Sequence, residues 1–163
     1  MMLVTGTSTR IKTALDSITV NRTLTFTTTG TAGITLAMGA FRLIDGGNFS
    51  IVNSGAALKN ITTAYTNVDT SYKPIPVNQS WPGAVTYNAT GHQTVVSGYY
   101  AGAVSVNGGA RTFSAMGTIE VAGAFTASTT STTYTLTGTT FLFSGGAQAL
   151  AFAPTSAVSF NNL

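Results

Sequence analysis

Charged residues are scarce in this sequence. They make up 7% of its 163 residues, against roughly 25% in a typical soluble protein. Thr, Ser, Gly, Ala and Asn take their place, so the surface must consist largely of neutral hydroxyl, amide and small apolar groups. Such a surface has little electrostatic protection against self-association, particularly at strand edges. The low charge therefore favours a subunit covered by other protein, with a secreted β-protein bearing a Thr-rich face as the alternative.

Cysteine is absent, which excludes disulfides and thiolate metal sites. The seven cations are spread along the chain in no run longer than the Arg10 and Lys12 pair. Because a nucleic-acid groove needs a clustered basic stripe, no nucleic-acid partner is expected. The N terminus shows no signal-peptide pattern, and no apolar run approaches the roughly 20 residues that cross a bilayer. We therefore predict no membrane segment, and the start at Met1 favours a cytosolic product.

Groups that could carry chemistry are equally few. The chain has four acidic residues and a single histidine, His92, in a turn that precedes a strand. A general base needs a nucleophile and an orienting partner, and no nucleophile motif accompanies His92. Asp45 and Asp69 lie near asparagines, but a calcium loop needs a denser set of carboxylates. The sequence therefore predicts no enzyme activity, no cofactor and no metal site.

Alternation of apolar with small or polar residues is the main structural signal. It is clearest from Arg111 to Ser128 and recurs from Ser17 to Thr29. A helix cannot bury one face with a repeat of two residues, so both segments are predicted to be half-buried strands. The first is expected to be one long strand, or two with a bend at Gly117 or Gly123. The best helix candidate, residues 10–16, is weak.

Turn signals separate the predicted strands. Asp45-Gly46-Gly47-Asn48 and Asn107-Gly108-Gly109 are typical of tight hairpins, which indicates antiparallel pairing. No period of 20–50 residues repeats convincingly, which speaks against a solenoid. We therefore predict an all-β fold: a single antiparallel β-sandwich or jelly-roll-like domain over residues 1–163, with little helix.

Two segments are expected to contact partners. Residues 1–9 form a possible extended N-terminal arm. Residues 65–83 form a long loop in which three prolines exclude a central strand, and long loops are usually functional or packed as a lid. The candidate partner-binding residues in these segments are Leu3, Val4, Tyr72 and Trp81.

Three features occur together in this chain: the start Met1-Met2-Leu3, the lack of cysteine, and strands rich in Thr, Ser, Gly and Ala, such as Thr118–Thr126 and Thr132–Thr140. In this composition and texture the chain resembles accessory virion proteins of tailed bacteriophages, namely capsid decoration or cement proteins, head fibres and tail-fibre domains. No diagnostic motif accompanies the resemblance, so it assigns no functional residue. It implies a β-sandwich or jelly roll, often trimeric, in a virion assembled in the host cytoplasm.

The expected function is that of a non-enzymatic structural subunit, a decoration, cement or fibre protein that stabilises a capsid or tail. Its partners would be copies of itself, possibly as a trimer, and a protein lattice such as a major capsid protein. One alternative is a secreted filament or surface-layer subunit that donates Met1–Thr9 by strand exchange, outside the cell or on its surface. The other is a carbohydrate-binding module that uses Trp81 and the tyrosines.

Overall fold

The chain is all-β over the part that the structure describes. In this computed structural model the described residues are 2–6, 10–28, 33–54, 59–67, 71–127, 133–146 and 150–151. No helix long and apolar enough to cross a bilayer occurs within these ranges. The strands are β1 (Met2–Gly6), β2 (Arg10–Thr13), β3 (Ile18–Val20), β4 (Thr23–Thr28), β5 (Ile34–Ala37), β6 (Leu43–Asp45), β7 (Ser50–Ser54), β8 (Lys59–Thr63), β9 (Gln79–Trp81), β10 (Val85–Tyr87), β11 (Gln93–Val95), β12 (Gly98–Tyr100), β13 (Val104–Val106), β14 (Arg111–Phe113), β15 (Thr118–Val121), β16 (Phe125–Ala127), β17 (Tyr134–Thr135), β18 (Thr140–Phe143) and β19 (Leu150–Ala151).

Successive coils of the chain stack as a parallel β-solenoid of about five turns. Face 1 is a seven-stranded sheet in the order β19-β16-β13-β10-β8-β5-β2. Face 2 consists of the pair β3-β6 and the three strands β11-β14-β17. Face 3 consists of β1-β4-β7 and β9-β12-β15-β18. In the coil that contains β8 and β9, the described residues between these strands, 64–67 and 71–78, include no strand on face 2, and they are called the irregular segment below.

The prediction of an antiparallel sandwich or jelly roll is wrong, and so is the rejection of a solenoid. Every strand pair in the described part of the chain is parallel. On face 1, Ile61 pairs with Val85, Val85 with Val104 and Val104 with Phe125, so these coils are 24, 19 and 21 residues long. Because the coil length varies, the repeat has no fixed period in the sequence.

Turns that were predicted to close hairpins are instead corners between faces. Asp45–Asn48 joins β6 on face 2 to β7 on face 3, and Asn107–Gly109 joins β13 on face 1 to β14 on face 2. The predicted long strand after Arg111 is three strands, β14, β15 and β16, with bends at 114–117 and 122–124. The segment predicted as the best helix candidate begins with strand β2.

Inward-facing side chains form rows along the solenoid axis. On face 1 a row of buried apolar residues runs through five coils: Leu36, Ile61, Val85, Val104 and Phe125. Near the C-terminal coils this row meets an aromatic cluster in which the rings of Phe113 and Phe141 lie 5.3 Å apart. Burial of each large side chain contributes about 1.5–3 kcal/mol, so these rows hold the coils together.

Glycines mark one corner of three consecutive coils. Gly83, Gly102 and Gly123 each precede an alanine and the first residue of a face 1 strand. A Cβ atom on Gly102 would lie 2.4 Å from the carbonyl carbon of Gly83, and one on Gly123 would lie 2.4 Å from that of Gly102. At this corner, successive coils lie so close together that only the hydrogen atom of a glycine fits between them. The recurring Gly-Ala-Val or Gly-Ala-Phe is the repeat signal that the sequence prediction missed.

Candidate functional site

A groove with a volume of about 550 Å³ runs along the outside of the solenoid. Its walls come from four consecutive coils: Lys73, Val77 and Asn78 from the irregular segment, Thr94 and Ser97 from the next coil, 112–116 from the third and Thr137 from the fourth. The volume falls within the roughly 300–1,000 Å³ typical of ligand pockets. The irregular segment thus lines the groove at the place where its coil has no described strand on face 2.

The groove is lined by apolar and neutral polar groups. Val77, Ala115 and Met116 form much of its apolar wall, and Met116 is 82% exposed. Hydroxyl groups of Thr and Ser and the amide of Asn78 supply most of the polar atoms. Among the described lining residues, Lys73 carries the only charge. The lining therefore suits a ligand with a large apolar surface.

His92 links the wall of the groove to the start of the irregular segment. Its Nδ1 lies 2.6 Å from the carbonyl oxygen of Asn67, and its Nε2 lies 2.8 Å from Oγ1 of Thr112, which lines the groove. A carbonyl oxygen can only accept, so Nδ1 carries the proton in the neutral ring. Nε2 then accepts the hydroxyl proton of Thr112. Thr112 thus presents only oxygen lone pairs to the groove.

Asn67 is itself held in place. It is buried, its Nδ2 donates to Oγ1 of Thr94 at 2.8 Å, and its Oδ1 accepts from the Thr94 amide at 2.8 Å. The chain of bonds from Thr94 through Asn67 and His92 to Thr112 ties the start of the irregular segment to two coils. The Asn67 carbonyl orients the imidazole, but it brings no negative charge of the kind that stabilises an imidazolium in a catalytic triad. His92 stood out in the sequence and Asn67 was considered only beside Asp69 as a possible calcium ligand, whereas nothing in the sequence singles out Thr112, because its partner His92 is distant in sequence.

Asn78 stands at the rim of the groove in an unusual backbone conformation. Its φ is 55°, and it is the one residue other than glycine with a positive φ among those described. Its Oδ1 accepts the hydroxyl proton of Ser97 at 2.7 Å, and its backbone amide donates to the Ser97 carbonyl at 2.7 Å. Since these bonds fix the carbonyl side of the amide, the Nδ2 group remains on the opposite side as a donor.

The four residues predicted to bind partners lie on three different elements, namely β1, the irregular segment and β9. Leu3 and Val4 lie in β1, where their backbones pair with Thr25 and Phe26 of β4. The Tyr72 ring is half-exposed and lies 4.9 Å from the guanidinium carbon of Arg42.

Trp81, the fourth of these residues, is only 1% exposed. It packs against Phe49, with ring centroids 6.3 Å apart. A sugar ring cannot stack on Trp81 in the folded chain.

The first coil forms a second candidate surface. Strand β2 is the edge of face 1, and all four of its residues are exposed. Ile11 is 68% exposed and Leu15, just after the strand, is 89% exposed. Solenoids usually end in a repeat whose outer face is polar, because an open end exposes apolar side chains and unpaired backbone groups. Among the described residues, the first coil exposes Ile11 and Leu15, and no strand is paired with the outer edge of β2 at Ile11 and Thr13.

Within the described ranges, no three side chains of His, Asp or Glu come together in a way that could hold a metal ion. Comparison with known proteins gives no match: no protein family, curated protein or solved structure matches this chain.

Proposed function

We propose that the chain is a non-enzymatic structural subunit that joins copies of itself in a larger protein assembly, with the first coil as its contact surface. The exposed edge strand β2, with Ile11 on its outer side, is the observation that carries the proposal. The low charge of the chain supports it, because few ionic groups oppose close contact between copies. A virion, with the chain as a decoration or fibre protein, is the setting that its composition favours.

Strand addition is the contact mode that suits this surface. Within the described residues face 1 ends at β2, where Arg10 and Ala14 direct their amides toward β5, so the N–H and C=O groups of Ile11 and Thr13 lie on the outer edge and can pair with a further strand. Such a strand would lie about 4.8 Å away and would cover part of the first coil. Burial of Ile11 and Leu15 would each contribute about 1.5–3 kcal/mol to the contact.

The charges on β2 favour a head-to-tail arrangement. Arg10 and Lys12 lie on the exposed strand. Two first coils facing each other would bring these cations together, and like charges on adjacent strands are destabilising. A contact between the first coil of one copy and a different surface of the next avoids this repulsion. Such a contact closes into a ring, for example a trimer, or continues as a filament.

Light scattering coupled to size-exclusion chromatography tests the proposal over a range of protein concentrations. We expect the wild-type chain to form a multimer and Ile11→Lys to shift it toward the monomer. Tyr99→Lys is the matched control, since it places the same charge on an exposed position of face 3. A wild-type chain that stays monomeric at the highest concentration overturns the proposal, as does an equal effect of Tyr99→Lys.

A further inference from the structure

We propose that His92 is a proton switch that reverses the hydrogen bond of Thr112 and so changes this part of the groove wall from a hydrogen-bond acceptor to a donor. The inference is independent of the assembly proposed above. It rests on the groups at the two ends of one ring. Nδ1 of His92 lies 2.6 Å from the carbonyl oxygen of Asn67, and Nε2 lies 2.8 Å from Oγ1 of Thr112.

The Nδ1 side of the ring has a hydrogen bond with a fixed direction. A carbonyl oxygen has no proton to give, so Nδ1 carries a proton whether the ring is neutral or charged. The Asn67 backbone amide donates in return to the His92 carbonyl oxygen at 2.9 Å. The two residues are therefore joined by two bonds that neither protonation state breaks. A proton that the ring takes up must go to Nε2.

The Nε2 side of the ring can reverse. A hydroxyl group both donates and accepts, so Thr112 suits either form of the ring. Thr112 donates to Nε2 when His92 is neutral, and Nε2 donates to Oγ1 of Thr112 when His92 is charged. Both contacts of the ring are kept, and both become charge-assisted in the imidazolium. Protonation therefore leaves the ring in place and changes the position of the Thr112 hydroxyl proton.

The released proton of Thr112 faces the groove. Thr112 is half-buried and lines the groove, and the described residues offer its Oγ1 no hydrogen-bond partner other than His92. Thr112 presents lone pairs to the groove while His92 is neutral, and an O–H donor once His92 is charged. A ligand that donates to Thr112 is favoured in the first state, and a ligand that accepts from it is favoured in the second.

The charged groups near the switch come from two elements. Arg111 of β14 donates to the carbonyl oxygen of Gly91, the residue before His92, at 3.1 Å, and Lys73 of the irregular segment lines the same groove as Thr112. In the part of the chain that the structure describes, no carboxylate bonds to His92. Asp69 lies outside the described residues. The described partners of a charged His92 are thus two neutral oxygen acceptors.

Nuclear magnetic resonance of the isotope-labelled whole chain tests the proposal at about pH 8 and about pH 5, the range in which histidine usually changes charge. His92 is the only histidine, so its ring signals are unambiguous. We expect a proton on Nδ1 alone at the higher pH, protons on both ring nitrogens at the lower pH, and a shift of the Thr112 side-chain resonances over the same interval. Thr135, the exposed neighbour of Thr112 in register on β17, is the control and should not shift.

Three variants separate the switch from a merely structural contact. Thr112→Val keeps the shape of the side chain but leaves the charged Nε2 without its acceptor. Its melting temperature should therefore fall further below the wild type at about pH 5 than at about pH 8. Thr112→Ser keeps the hydroxyl group, so its loss should be the same at both pH values. Asp69→Asn removes the nearby acid in the sequence and should leave the response of Thr112 to pH intact.

Several outcomes would overturn the proposal. A proton on Nε2 of the neutral ring is one, and Thr112 resonances that do not follow the ring are another. A ring that stays neutral at about pH 5 in the folded chain would show that the switch does not operate. Equal losses for Thr112→Val at both pH values, or a response that disappears in Asp69→Asn, would also contradict it. None of these readouts measures the oligomeric state, so this test and the assembly test fail independently.

Discussion

The hydroxyl oxygens of Tyr87 and Tyr100 lie 2.8 Å apart inside the solenoid, where they join β10 on face 1 to β12 on face 3. Tyr100 donates its proton to the Val96 carbonyl at 2.7 Å, so Tyr87 must donate to Tyr100. The Val96 amide donates in turn to the Tyr87 oxygen at 3.4 Å. Three residues of one coil thus satisfy each other's polar groups in a site that water does not reach.

Replacement of Tyr87 by Phe should destabilise the fold. The change removes the donor to Tyr100 and the acceptor for the Val96 amide, and a buried polar group left without a partner costs about 1–3 kcal/mol. Urea unfolding measures the loss. Tyr99→Phe is the control, because the Tyr99 side chain is exposed and its change should stay within about 0.5 kcal/mol. Equal stabilities of the two variants would contradict the role given to this pair.

The same pair predicts a loss of stability at high pH. Burial raises the pKa of Tyr87, and it raises the pKa of Tyr100 well above its ordinary value with a further contribution from the neighbouring Tyr87. An unfolded tyrosine ionises near pH 10, so the unfolded state loses protons first. The contribution of the pair is fully present below about pH 10 and is lost progressively as the pH rises above it.

Urea unfolding at a series of pH values checks this prediction. We expect the free energy of unfolding to fall above about pH 10 in the wild type, and to fall less steeply when both tyrosines are replaced by Phe. An identical slope in the double variant would show that other groups cause the alkaline loss.

Arg111 should be a major contributor to stability although no acidic partner lies beside it among the described residues. Its side chain is buried, and its guanidinium donates to the carbonyl oxygens of Ala89, Gly91, Asn107, Gly109 and Ala110. Burial lowers the pKa of Arg111 to about 10, so the group is still charged at neutral pH. Arg111→Met removes one charged donor from several carbonyls of two corners at once.

We expect Arg111→Met to lower the free energy of unfolding by at least about 2–3 kcal/mol, since hydrogen bonds to a charged group are each worth about 1.5–3 kcal/mol. Arg22→Met is the matched control on an exposed arginine and should change stability by less than about 0.5 kcal/mol. Chemical unfolding compares the two. If Arg111→Met is as stable as the control, the carbonyl contacts do not stabilise the corners.

Gly102→Ala should damage the stacking of coils. The added methyl group would meet the backbone of Gly83 at 2.4 Å, and backbone cannot move aside as a flexible side chain can. Forced overpacking of this kind costs about 1–3 kcal/mol. Gly146→Ala is the control, because no atom of the described residues lies within 4 Å of the added atom. A melting temperature of Gly102→Ala equal to that of Gly146→Ala would rule out the tight corner.

Part of the site could be foreseen and part could not. His92 stood out as the only histidine, whereas Thr112 and Asn67 are ordinary residues until the coils bring them to either side of its ring. Tyr72 and Trp81 looked alike as aromatic residues in a long loop. The structure separates them, because Trp81 lies on the inner side of β9 and Tyr72 lies outside.

The sequence by itself determined that the chain is built of short strands, because alternation with a period of two, as in Thr118–Phe125, allows no other regular structure to bury one face. It also determined that the surface is largely neutral, because the chain contains few charged residues. Only the tertiary structure decided that the strands run parallel in stacked coils, since alternation looks the same in parallel and antiparallel pairs and glycine-rich turns serve both hairpins and corners. The contacts that distinguish the two, such as Gly83 against Gly102, join residues of different coils and appear only when the coils are stacked.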